Sequence, residues 1–346
     1  MLALLLQALA RGTTGFATAY SETVYAALVE TIGRIISVLP FSVAELGLYL
    51  LILSIIVGII VWVLRIIRRK FSPAGAVLAA VRTVVFACAL IFFSYTVGCG
   101  INYYRAPFSE EAGFVIQESG QEELVNLCRL LVRQINEAAQ EIETDSDGCL
   151  ILTGDAPETA RRAMEALGEK YDCLKGYYPR PKGLLFSRLL SVQQIEGIYS
   201  PFTLEANYNQ EMPEVNIPAT LCHELSHLRG FMREDEANFI AYLACLESGE
   251  PQFVYSGAIL AFIHSGNALY RAGGQEEYRE IYESLCETAR RDMAADSAFW
   301  NQFEGPVAEV SNQVNDAYLK ANSQEDGVRS YGRMVDLLLA MYREEG

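Results

Sequence analysis

The chain has 346 residues, 43 of them acidic against 27 basic, for a net charge of −16, and 51 % of it is hydrophobic. Seven of the basic and three of the acidic residues fall in residues 1–101, so the remainder holds 20 basic against 40 acidic side chains. That acidity argues against nucleic acid or anionic lipid as a partner of the later part. The apolar first part calls for a lipid bilayer. None of the eight cysteines forms a C-x-x-C pair, which removes zinc-ribbon and thioredoxin-like readings. Disulfide pairing of the later cysteines stays open at this level.

Met1–Ala10 is apolar but too short to span a bilayer, and it lacks the basic start of a signal peptide. Phe16–Leu39 has the pattern of an amphipathic helix. Glu22, Ala26, Glu30 and Arg34 recur on one face, and Phe16, Tyr20, Val24, Leu28 and Ile35 on another. Such a helix lies in the membrane interface or packs on the segments that follow. Leu46–Leu64 and Thr83–Ile101 carry no charge over nineteen residues each, enough for two transmembrane helices. Between them, residues 65–82 hold five basic residues and no acidic one. The positive-inside rule makes that connection cytoplasmic and places the region from Asn102 outside.

Beyond Asn102 the pattern is globular. Helices are expected over Gln121–Ile142 and Pro157–Tyr171, with a short one at Leu184–Ser191 and a short strand at Cys149–Thr153. Ile198–Asn209 reads as a strand or hairpin, and Pro201 argues for an edge or a bulge. The next helix has Asn216 as N-cap, Pro218 in its first turn and Gly230 at its C-cap position. Another helix runs from Arg233 to Glu247. Phe253–Tyr270 is apolar for eighteen residues, but His264, Ser265, Gly266 and Asn267 interrupt it, so a buried core helix is preferred to a third span. Polar helices over Glu276–Ala295, Pro306–Ala321 and Gly327–Glu344 complete the chain.

Two of the chain's three histidines stand in His223-Glu224-Leu225-Ser226-His227. On a helix, residues four apart share a face, so His223 and His227 can bind one Zn2+ while Glu224 acts on a water at the metal. Catalytic zinc usually has three protein ligands and one open position. The third is expected after the Gly230 reversal. Glu234 is the choice, because Asn238 follows one turn later and can hold a ligand histidine. Glu236 is the reserve, and His264 a substitute that reads more readily as a core histidine. Tyr255, His264 and Tyr242 are the candidates for stabilising an oxyanion.

Glu234-x-x-x-Asn238 after His223-Glu224-x-x-His227 resembles the gluzincin arrangement, with only six residues between His227 and Glu234. More closely, the chain resembles a bacterial membrane protein family known as domain of unknown function 3810. The likeness lies in the paired spans and the block Gly197-Ile198-Tyr199-Ser200-Pro201-Phe202-Thr203-x-Glu205-Ala206-Asn207. It extends through Cys222–Gly230, Glu234–Asn238 and Tyr255-Ser256-Gly257. The resemblance implies a membrane-anchored zincin and names no substrate.

The expected architecture is therefore mainly α. A membrane region over residues 1–101 precedes an external, α+β zincin-like domain over residues 102–346, with a small edge sheet and a helical C-terminal half. The expected function is a membrane-anchored zinc metallopeptidase, multi-pass in the bacterial cytoplasmic membrane, that cleaves peptide or protein substrates on the outer side. The rival reading is a catalytically inactive zinc-binding sensor or scaffold. An intramembrane protease fits less well, because the motif lies about 120 residues past the second expected span.

Overall fold

Two long helices, Val43–Ile67 and Pro73–Tyr95, are built almost wholly from branched and apolar side chains. Most of those side chains face outward without protein cover, from Leu46 to Ile67 and from Val77 to Phe93. Both helices are long and apolar enough to cross a membrane. The computed structural model describes residues 1–68, 73–322 and 333–344. Both helices begin before the uncharged runs that announced them, but the second stops at Tyr95, and the rest of its run, from the π turn Thr96–Gly100 to Ile101, is largely buried in the domain. The first starts at Val43 because Ser42 caps it, its hydroxyl accepting from Glu45 N–H at 3.1 Å. Arg65 and Arg82, expected in a loop, are helical, while Arg69 and Lys70 of the basic cluster lie outside the described residues.

Residues 16–37 form one helix interrupted by two π turns, Ser21–Tyr25 and Val29–Gly33. Each π turn adds a residue to the turn and rotates the buried stripe. Tyr20, Tyr25, Val29 and Gly33 therefore point inward, whereas Val24 and Ile35 of the expected apolar face are exposed. One face of the helix packs into the domain core. Its tyrosines reach across the fold: the Tyr20 hydroxyl donates to Val97 O at 2.8 Å.

The core is helical. Pro251–Arg271 packs against Gln121–Ala138 and Glu234–Glu247, and Ile217–His227 packs against Glu234–Glu247 and Ala156–Lys170. Phe253, Tyr255 and Phe262 are fully buried, which makes Pro251–Arg271 a core helix. The helix expected over Glu276–Ala295 is two, Gln275–Glu283 and Glu287–Asn301. Pro306–Ala321 follows as expected, and Arg333–Glu344 closes the described chain; the start of the helix expected from Gly327 lies outside the described residues. All eight cysteines are free, and Cys222 and Cys245 are buried as small apolar side chains.

Strands are few and short. Gly197–Ser200 pairs antiparallel with Glu205–Tyr208 in a hairpin whose turn contains Pro201, and Lys182–Gly183 joins parallel on the far side. Gly197–Ser200 is thus an edge strand. A separate two-stranded ladder joins Glu143–Thr144 to Leu150–Ile151.

Two carboxylates lock the first apolar helix onto this sheet. Glu205 accepts from Val43 N–H at 3.0 Å and Ala44 N–H at 2.8 Å, at the positive end of the helix dipole. The same carboxylate pairs with buried Lys182 at 2.7 Å. In return Glu45, from the helix, accepts from Leu185 N–H and Phe186 N–H, both at 2.9 Å.

Candidate metal centre

Pro218 starts the helix Ile217–His227, since its missing N–H would have had no partner there. The helix ends at His227 with Leu228 in the capping place expected of Gly230, and Gly230, at φ +86°, reverses the chain in a conformation that a side chain resists. Asn216 does not cap with its side chain; its amide donates to Asp296 at 2.7 Å and Glu196 at 3.3 Å. After the reversal at Gly230, the helix Glu234–Glu247 returns alongside the first.

This helix pair brings His223, His227 and Glu234 together, with one donor atom from each lying within 4.8 Å of the others. The imidazole centroids of His223 and His227 are 4.8 Å apart, with the rings nearly perpendicular. Each ring is held from behind. His227 Nδ1 lies 2.8 Å from Phe231 O, which can only accept, so its proton sits on Nδ1 and Nε2 keeps a lone pair. His223 Nδ1 lies 2.8 Å from Asn238 Oδ1 and donates to it, which leaves Nε2 to face Glu234. His223 Nε2 is 3.2 Å from Glu234 Oε2. Two ligands of a tetrahedral zinc with ~2.1 Å bonds stand ~3.4 Å apart; the His223–Glu234 pair is close to that spacing, and the two imidazoles and the carboxylate are of the right type for such an ion.

The electrostatics favour a cation at this point. Burial pulls the His223 pKa down, but the hydrogen bond and charge of Glu234, with Glu224 adding, take it up to about 9. Glu234 is lowered in turn: burial opposes, and the His223 partner prevails. Burial, with His223 beside it, pushes His227 down to about 4, which leaves it the neutral ligand a metal requires.

Glu224 turns from the histidines toward the edge strand. It is 5 % exposed, and its Oε2 has no hydrogen-bond partner. Burial first, then the charges of Glu234 and Glu196 against that of His223, pushes its carboxyl up to about 8. Gly197 makes room for it. A Cβ there would stand 2.5 Å from Glu224 Oε1, so any larger residue displaces the carboxylate. A buried carboxyl with one oxygen free and its pKa raised by burial is suited to exchanging a proton with water.

These residues line one cleft of about 1710 Å³, shared with the edge strand and with His264. The other expected site residues are not brought together there. Glu236 turns away: it accepts from Phe108 N–H at 2.8 Å and Arg233 Nε at 3.1 Å. Tyr255 is fully buried, donates to Asp292 at 2.7 Å and does not line the cleft. Tyr242 is equally buried and shares its hydroxyl with Gln134 at 2.9 Å and with Tyr342. Both tyrosines belong to the core because helices Glu234–Glu247 and Pro251–Arg271 are buried on nearly all faces.

Two cleft or support residues, Glu196 and Tyr25, carried no signal in the sequence, and Tyr199 was read only as part of a strand and of the family likeness. Glu196 lies on the cleft wall and accepts from Thr220 at 3.0 Å. Tyr199 donates to Gly98 O at 2.7 Å. Tyr25, from the N-terminal helix, stands 2.9 Å from both the Tyr199 hydroxyl and His227 O, beneath the second histidine. Only the π turn that rotates Tyr25 inward puts it there.

A family model described as protein of unknown function DUF3810 matches residues 20–339. No curated protein and no solved structure matches the chain.

Proposed function

We propose that this chain, which belongs to the DUF3810 family of proteins of unknown function, is a membrane-anchored zinc metallopeptidase. One observation carries the reading. Two imidazole Nε2 atoms, each fixed by a hydrogen bond at Nδ1, converge with Glu234 beside a buried carboxylate oxygen of Glu224 that has no partner. A binding module has no use for that carboxylate, which favours an enzyme over a sensor or scaffold.

His223, His227 and Glu234 would hold the ion. Zinc, when bound, supplies a Lewis acid that brings the pKa of water toward neutrality. Glu224 takes the proton from the attacking water and delivers it to the leaving amine. The edge strand Gly197–Ser200 lines the same cleft and offers backbone groups to an extended peptide, which favours a peptide bond as the scissile group. Of the residues expected to stabilise an oxyanion, His264 lines the cleft, and that favours it over Tyr255 and Tyr242 for the role. Helices Val43–Ile67 and Pro73–Tyr95 anchor the chain in the bacterial cytoplasmic membrane, and the basic residues between them put the cleft on the outer side.

Metal analysis of the full chain in detergent, paired with cleavage of a random peptide library, tests the reading. One zinc per chain and cleavage abolished by Glu224→Gln are expected. A zinc-free protein with full library cleavage overturns the metal chemistry, and zinc without any cleavage turns the reading to the sensor.

A further inference from the structure

The cleft that holds the metal ligands does not close at the domain surface. Ala44, Glu45, Leu48 and Tyr49, from the first two turns of Val43–Ile67, line the same cavity as His223 and Glu224. That juxtaposition is built in by the Glu205 and Glu45 carboxylates, which tie the start of the apolar helix to the sheet on one side and to residues 185–186 on the other. Around the opening the wall is apolar and exposed. Phe186 is 57 %, Phe202 54 % and Val310 58 % accessible. Val307, Val310 and Val314 recur along one face of Pro306–Ala321, and all three line the cleft.

An apolar rim continuous with a lipid-facing helix suits an apolar occupant. A free acyl chain would be satisfied by the rim alone. The edge strand deeper in the cleft requires a backbone with N–H and C=O groups to pair. One molecule meets both demands: a polypeptide whose apolar segment sits in the bilayer and whose adjoining extended stretch leads to the metal. We infer that the cleft takes its substrate from the membrane, and that the rim formed by Phe186, Phe202 and Val310 receives the juxtamembrane segment of a membrane-anchored polypeptide. The inference rests on the proposed peptidase reading and on the two apolar helices being membrane spans.

The test uses the full chain, zinc-loaded, in phosphatidylcholine vesicles with two probe peptides. Both carry the same randomised ten-residue stretch, and one adds a Leu/Ala-rich transmembrane segment of twenty residues. The anchored peptide is expected to show at least a tenfold higher kcat/KM. Sharing a bilayer raises local concentration without any contact, so Phe202→Glu and Val310→Glu make the decision. Both sites are exposed, and folding survives the change. Each substitution is expected to bring the anchored-to-soluble ratio down at least tenfold, and a ratio that neither changes overturns the inference. Photo-crosslinking from p-benzoylphenylalanine at position 202 reads docking without catalysis. Capture of the anchored peptide supports the inference even where neither peptide is cleaved, an outcome that would count against the peptidase reading alone. Adducts to lipid only overturn it.

Discussion

Asn238 Oδ1 stands 2.8 Å from His223 Nδ1, one helical turn beyond Glu234, so a single helix supplies both one carboxylate of the His–Glu cluster and the support of its first imidazole. Outer partners of this kind orient the imidazole and typically contribute 10–100-fold to metal affinity. Asn238→Ala is expected to weaken zinc binding by about that factor, measured by chelator competition. Asn238→Asp keeps an acceptor at the same place and should restore most of it.

Glu234 and Glu236 separate cleanly by direction. Glu234 faces His223, whereas both oxygens of Glu236 are engaged by Phe108 N–H and Arg233. Glu234→Gln should weaken zinc binding by more than the roughly 10–100-fold attached to an outer partner. Glu236→Gln should leave the zinc content unchanged. Elemental analysis of both variants after dialysis reads the difference, and zinc lost only from the Glu236 variant would reverse the assignment.

Gly197 and Glu224 form a steric pair. Glu224→Gln should retain zinc and lower kcat by about 10²–10⁴-fold, the usual contribution of a general base. Gly197→Ala leaves every ligand in place but puts a methyl group 2.5 Å from Glu224 Oε1. It should therefore also retain zinc and lose a large part of kcat, with KM changed less. Full activity in Gly197→Ala would show that the carboxylate has another place to go.

Tyr25 links the N-terminal helix to the metal helix through His227 O and the Tyr199 hydroxyl, all three buried. Tyr25→Phe keeps the ring and removes its donor, while His227 O keeps Gly230 N–H and Tyr199 keeps Gly98 O, so stability should fall by about 0.5–1.5 kcal/mol. The denaturation midpoint of the full chain in detergent checks it. An unchanged midpoint would mean that the helix is held by packing alone.

Much of this arrangement was legible in the residue order. Glu234 was readable because helical spacing places it one turn from Asn238, and Gly230 announced the reversal between the two helices. The two apolar helices were readable because nineteen uncharged residues leave few alternatives. Helix ends were less legible. Ser42 and Glu205 extend the first apolar helix by contacts whose partner, Glu205, lies about 160 residues away.

Local periodicity determined the grouping of His223, His227, Glu234 and Asn238, since all four sit on two short helices joined by one turn. It could not determine what surrounds them. Tyr255 and Tyr242 satisfy their hydroxyls inside the core, through Asp292 and Gln134, and no local pattern reports a partner that distant. The same holds for Tyr25, whose inward direction depends on a π turn, and for the cleft wall shared by Leu48 and Glu224. Spacing along a helix is a property of the backbone and repeats wherever a helix forms. Which side chains meet across 100 or more residues depends on how all the helices pack at once, and only the tertiary structure decides that.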